Sequence, residues 1–180
     1  MNVWLLPLAV LPLAAHAAAS VASLAVGDPL PTLRGEFLTG RTAVLPQAAA
    51  GRVALLLLGF TYDSRFAVEA WTQKFRGQFH TDPRVTFYEI PMIGGLARMG
   101  KWFIDGGMRR GTPKADYEHV ITVYGGIDPW KQRVAFRDPN AAYLILLDAS
   151  GRVAWRFAGV PDEPAYHALS SEVLRLVTGR

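Results

Sequence analysis

Six consecutive apolar residues, Val53 to Leu58, followed by Gly59 and the polar cluster Thr61-Tyr62-Asp63-Ser64, constrain this chain more than any other stretch. A run so short cannot span a membrane, and one with no polar alternate position must be covered on both faces. It therefore reads as a central strand of a parallel or mixed sheet. Beyond it, Val68, Trp71, Phe75 and Phe79 follow at spacings of three, four and four, the apolar stripe of a helix starting near Arg65 with Asp63 or Ser64 as its N-cap. After the turn at Asp82-Pro83, the β-branched and aromatic run 85–90 (VTFYEI) reads as the next strand, so the unit is a right-handed parallel crossover.

The remaining elements fall on either side of this unit. Residues 26–45, with Pro29, Pro31 and Gly40, predict an N-terminal hairpin. Residues 94–110 predict a second helix with Leu96, Met99 and Phe103 on one side and Arg98, Lys101 and Asp105 on another. Residues 112–139 are expected to be an insertion, with VITVYGG at 120–126 as an extra strand. The runs AAYLILLD and RVAWRF flank a tight turn at 148–151 and make an antiparallel hairpin, and Tyr166, Leu169, Val173 and Leu176 supply the stripe of a last helix.

The chain contains no cysteine, which excludes disulfide staples and thiol or disulfide catalysis. That absence matters because residues 1–17 are expected to be a secretory signal: Val3 to Leu13 has the length of an apolar h-region and Ala15-His16-Ala17 fits a small-x-small cleavage site. No Lys or Arg precedes the run, so an uncleaved N-terminal anchor stays open as the alternative. The expected location is the periplasm or another extracytoplasmic space, with residues 18–180 forming one domain. The net charge of +4 is concentrated between Arg98 and Arg137, where eight cations face four anions. A segment of that kind suits an acidic protein or a lipid headgroup surface.

The order hairpin, β, α, β, α with insertion, β, β, α joins a βαβ half to a ββα half. With the opening GDPLP it resembles the peroxiredoxin and thiol-antioxidant branch of the thioredoxin superfamily. GFTYDSRF with Trp71 and Phe75, VTFYEIPMI, the VYGG segment and YLILLDASGRVAWRFAG together resemble the thioredoxin-like assembly factors of the mitochondrial ATP synthase membrane sector and their bacterial relatives. The resemblance implies an α/β fold, a thioredoxin-like three-layer sandwich with a central mixed sheet. It also implies a client that is a membrane complex undergoing assembly. In such a fold the redox cysteines would stand at Thr61 to Ser64, and the proline facing them would stand where Ala141 and Ala142 are found.

Two candidate sites follow. The first is the strand–helix junction, Thr61, Tyr62, Asp63, Ser64 and Arg65, where free amides of a helix N-terminus favour a carboxylate or anion. The second is the basic, aromatic segment with Arg98, Lys101, Trp102, Arg109, Arg110, Trp130 and Arg133, residue types favoured at protein interfaces and at membrane–water boundaries. No catalytic residue is assigned, since His80, His119 and His167 stand far from Ser64 in sequence and no nucleophile-elbow motif is present. No metal, cofactor or nucleic-acid partner is expected either, because histidine spacing, acidic loops and phosphate-binding glycine motifs are missing. The expected function is redox-inactive binding or assembly of an envelope or membrane-associated complex with a protein client. The alternative is an enzyme of non-thiol chemistry at Thr61 to Arg65.

Overall fold

The computed structural model describes residues 21–95 and 100–179; the expected signal segment and Arg98 lie outside the described residues. The elements are β1 (Leu33–Phe37), β2 (Thr42–Leu45), β3 (Val53–Gly59), α1 (Ser64–Phe79), β4 (Val85–Ile93), α2 (Lys101–Gly111), β5 (Ile121–Tyr124), α3 (Asp128–Arg133), β6 (Ala142–Leu147), β7 (Val153–Gly159) and α4 (Glu163–Thr178). They build one mixed sheet of seven strands in the order β2-β1-β5-β4-β3-β6-β7.

β3 is central because its apolar run serves both faces. Ala54, Leu56 and Leu58 enter one core with Tyr88, Ile90, Tyr143, Ile145 and Trp130. Val53, Leu55 and Leu57 enter the other with Trp71, Phe75, Leu144, Leu169 and Val173. The twofold alternation of a strand sorts the two sets. β3 pairs parallel with β4 from Val53↔Val85 to Gly59↔Pro91 and antiparallel with β6, so the expected crossover and hairpin are both present.

The segment expected as an insertion is woven into the sheet. Its strand β5 pairs antiparallel with β1 and parallel with β4, and so joins the N-terminal hairpin to the central strands. Ile121 and Val123 enter the core containing Phe37, which turns Thr122, Tyr124 and Glu36 to the opposite face. α2 lies on that opposite face, the side of α1 and α4: Lys101 bonds Glu36, and the Tyr124 hydroxyl donates to Asp105. α3 lies on the other side, with Ile127, Trp130 and Val134 buried in the hairpin core. The result is a three-layer sandwich.

Candidate functional site

The junction is built from β3 running into α1. Ser64, the first helical residue, is fully buried. Its Oγ donates to the Thr61 carbonyl at 2.8 Å and accepts from the Thr61 amide at 3.2 Å, while its own amide donates to Thr61 Oγ1 at 3.1 Å. Thr61 Oγ1 in turn donates to the Pro139 carbonyl at 2.6 Å. Asp63 holds the N-cap position, as expected, but its side chain makes no cap bond; Thr61 supplies the acceptor for the first helical amide instead. The same closed set removes Ser64 as a nucleophile, since its hydroxyl is buried and already donated.

The exposed part of the junction is aromatic and cationic. Tyr62 is 73% exposed and Phe66 58%. The Arg65 guanidinium lies 4.0 Å from the Tyr62 ring centroid and 4.5 Å from that of Phe66, and it donates to the Tyr62 hydroxyl at 2.5 Å. Cation–π contacts of this kind, worth about 0.5–1 kcal/mol each at an exposed site, bring the three side chains together as one solvent-facing group. Of the five consecutive residues Thr61 to Arg65, Thr61, Tyr62, Asp63 and Arg65 are exposed and Ser64 is buried.

Opposite the junction, the turn before β6 is held by Tyr143, whose hydroxyl accepts from the Arg137 and Asp138 amides, both at 2.9 Å, and donates to the Asp138 carbonyl at 3.0 Å. Ala141 and Ala142 are buried there. A shallow concavity of about 470 Å³ runs between this turn and α1, lined by Asp63, Phe66, Asn140 and Val160.

A larger groove of about 740 Å³ opens on the other side of the α1 N-terminus, between α1, the C-terminal half of β4, and α2. Tyr62 lines it from the turn before α1, Arg65, Val68 and Glu69 from α1, Phe103, Ile104 and Met108 from α2, and Glu89 from β4. Burial pushes the Glu89 carboxyl pKa up; Thr72 beside it pulls the other way, and the charges of Glu69 and Asp116 raise it further against that of Arg76. The Thr72 hydroxyl lies close enough to favour the ionised form but does not reach hydrogen-bond geometry; its Oγ1 is buried without a partner. The sequence reading missed Glu89. Its signal was a lone acid inside the apolar run VTFYEIPMI.

The basic, aromatic candidates do not form one surface. Trp130 is 5% exposed and belongs to the core, with Arg133 stacked over it at 5.1 Å. Both sit on α3, across the sheet from α2. On α2, Lys101 is tied to Glu36 at 3.0 Å and Asp105 at 2.5 Å, and those two bonds outweigh burial and raise its pKa. Arg109 donates to the Leu38 carbonyl at 2.8 Å, whereas Trp102, Phe103 and Arg110 are exposed. Among the described residues no cluster of His, Asp or Glu is arranged to hold a metal.

No protein-family model matches the chain, and no curated protein matches it significantly. Solved structures do. A candidate protein disulfide isomerase from Bacteroides thetaiotaomicron is 13% identical with a TM-score of 0.61, covering 86% of this chain and 91% of its own. The thioredoxin domain of a thiol-disulfide oxidoreductase from Bacteroides vulgatus is 20% identical with a TM-score of 0.57, covering 84% and 99%. An exposed lipoprotein thioredoxin from Streptococcus pneumoniae is 12% identical with a TM-score of 0.55, covering 81% and 100%. Likeness at these identities concerns the backbone alone, and the neighbours named for thiol–disulfide chemistry contrast with a chain that has no cysteine. The chain has the thioredoxin-like fold.

Proposed function

We propose that this chain is a thioredoxin-like binding protein without thiol chemistry, acting in the assembly of an envelope or membrane-associated protein complex. One observation carries the reading: at the strand–helix junction the polar side chains Thr61 and Ser64 are consumed by bonds to each other and to Pro139, while exposed aromatics rim a groove of about 740 Å³. Such a junction offers shape and aromatic contact, the features of recognition surfaces, in place of a nucleophile. The exported location and the contact of Arg110 and Trp102 with acidic protein or lipid headgroups belong to the same proposal.

A second reading, an enzyme of non-thiol chemistry, is favoured by Glu89 alone, because a carboxyl with a raised pKa in a groove suits proton transfer. The two separate by experiment. The binding reading expects no turnover in a disulfide-reduction assay and a protein recovered by crosslinking in the native envelope. Turnover of thiols contradicts it, as does copurification of a small molecule with no crosslinked protein.

A further inference from the structure

The groove beside the junction has three properties that internal packing does not account for. The first is α2 itself. Asp105 is the one residue its eleven positions bury, while Phe103, Ile104 and Met108 face the groove and Phe103 is 65% exposed. An amphipathic helix normally buries its apolar stripe; among the described residues this one leaves Phe103 exposed and Ile104 and Met108 only partly covered.

The second is glycine. Gly107 and Gly111 lie one turn apart on α2 and line the groove. A Cβ at Gly111 would meet nothing within 4 Å, and one at Gly107 would meet only the tip of Arg110 at 3.9 Å. Neither has a left-handed backbone. Gly107, in the helix interior, costs roughly 1 kcal/mol relative to alanine, and no described neighbour requires that cost, while Gly111 is the last residue of the helix. A bare helix surface does serve close approach of another main chain.

The third is charge. On a chain of net +4, the groove carries Glu69 and Glu89, and the one cation among its described lining residues, Arg65, lies against the rings of Tyr62 and Phe66. Among the described residues Glu89 forms no ion pair, and Thr72 beside it leaves its hydroxyl unbonded. A half-buried carboxyl with no ion-pair partner among the described residues, in an apolar groove and with Arg76 acting on it only at a distance, is complementary to a cation carried on an apolar stem.

We propose that this groove takes an extended segment of a partner protein, with a lysine or arginine side chain of that segment reaching down to Glu89 and its apolar neighbours packing on Phe103, Ile104 and Met108. The segment's main chain passes over Gly107 and Gly111. This inference rests on the binding reading above and names the chemistry of the client.

The test is selection of displayed random peptides of about seven residues, ~24 Å when extended, on the full chain and on two variants. The wild type is expected to select sequences with one Lys or Arg between apolar residues. Glu89→Gln, near-isosteric and checked for folding by circular dichroism, loses the preference for the cation and binds the selected peptides about tenfold or more weakly. Gly107→Phe fills the groove from the helix surface and blocks the same peptides. Selection of peptides indifferent to charge, or equal selection by Glu89→Gln, overturns this inference and leaves the binding reading intact. Selection of no peptide above background also overturns it, and the binding reading then stands or falls on crosslinking.

Discussion

Thr61 Oγ1 donates its proton to the carbonyl of Pro139 at 2.6 Å while accepting the amide of Ser64 at 3.1 Å, so one hydroxyl joins the α1 N-terminus to the turn that precedes β6. Thr61→Val keeps the shape and deletes both bonds. It is expected to lower stability by about 0.5–1.5 kcal/mol, the net range for an ordinary hydrogen bond, since Thr61 and Pro139 are exposed, with Thr61→Ser restoring most of the loss. Urea unfolding of the three proteins measures this.

Gly59 and Ser64 are coupled by contact. A Cβ on Gly59 would stand 2.8 Å from Ser64 Oγ but 3.7 Å from Ser64 Cβ. Gly59→Ala and Ser64→Ala are each expected to destabilise, the first by a clash and the second by about 1–2 kcal/mol of lost hydrogen bonding. The double variant is expected to be more stable than the sum of the two, by about 0.5 kcal/mol or more in a double-mutant cycle. Strict additivity counts against the packing described.

Glu89 makes stability depend on pH. Its folded-state pKa is raised by burial, so the folded form holds the proton to higher pH than the unfolded chain does. Stability therefore falls as pH rises from about 4.3, the ordinary glutamate value, through the raised folded value. Glu89→Gln is expected to raise the thermal midpoint at pH 7 and to match the wild type below about pH 4. Each pKa unit of displacement corresponds to about 1.4 kcal/mol, so the gain at pH 7 reports the size of the shift.

Asp105 is 3% exposed and ties α2 to the sheet through the Tyr124 hydroxyl at 2.5 Å, while its bond to Lys101 Nζ at 2.5 Å lies within α2 and positions that lysine for Glu36 on β1 at 3.0 Å. Burial, then the bond to Asp105, push the Tyr124 phenol up. Asp105→Ala is expected to cost about 1.5–3 kcal/mol, the range for hydrogen bonds to a charged group. Hydrogen exchange on α2 should accelerate more than on α1. Equal acceleration on both helices contradicts this local role for Asp105.

The elements whose period comes from their own residues were legible in the sequence. Val53 to Leu58 and the Val68–Trp71–Phe75–Phe79 stripe gave the central crossover directly. The partner of a strand has no such local mark, so β5 read as an insertion although it bridges β1 and β4. Trp102 and Trp130 look alike in sequence, each beside cations. Ile127, Trp130 and Val134 turn one inward at helical spacing, whereas Trp102 is 79% exposed. Glu89 became visible as a site residue only when α1 and α2 closed around it, since no motif brings those segments together.

The central claim, recognition of a protein at the junction and its groove, is tested most directly by site-specific photocrosslinking in the cells that make the protein. A photoreactive phenylalanine analogue is placed at Tyr62, at Phe103 and, as a control, at Leu174, which is 48% exposed on α4. These solvent-facing positions should tolerate the change within about 0.5 kcal/mol. The account predicts the same discrete protein adduct from Tyr62 and Phe103 and none from Leu174; adducts equal at all three positions, or absent from Tyr62 and Phe103, would contradict it.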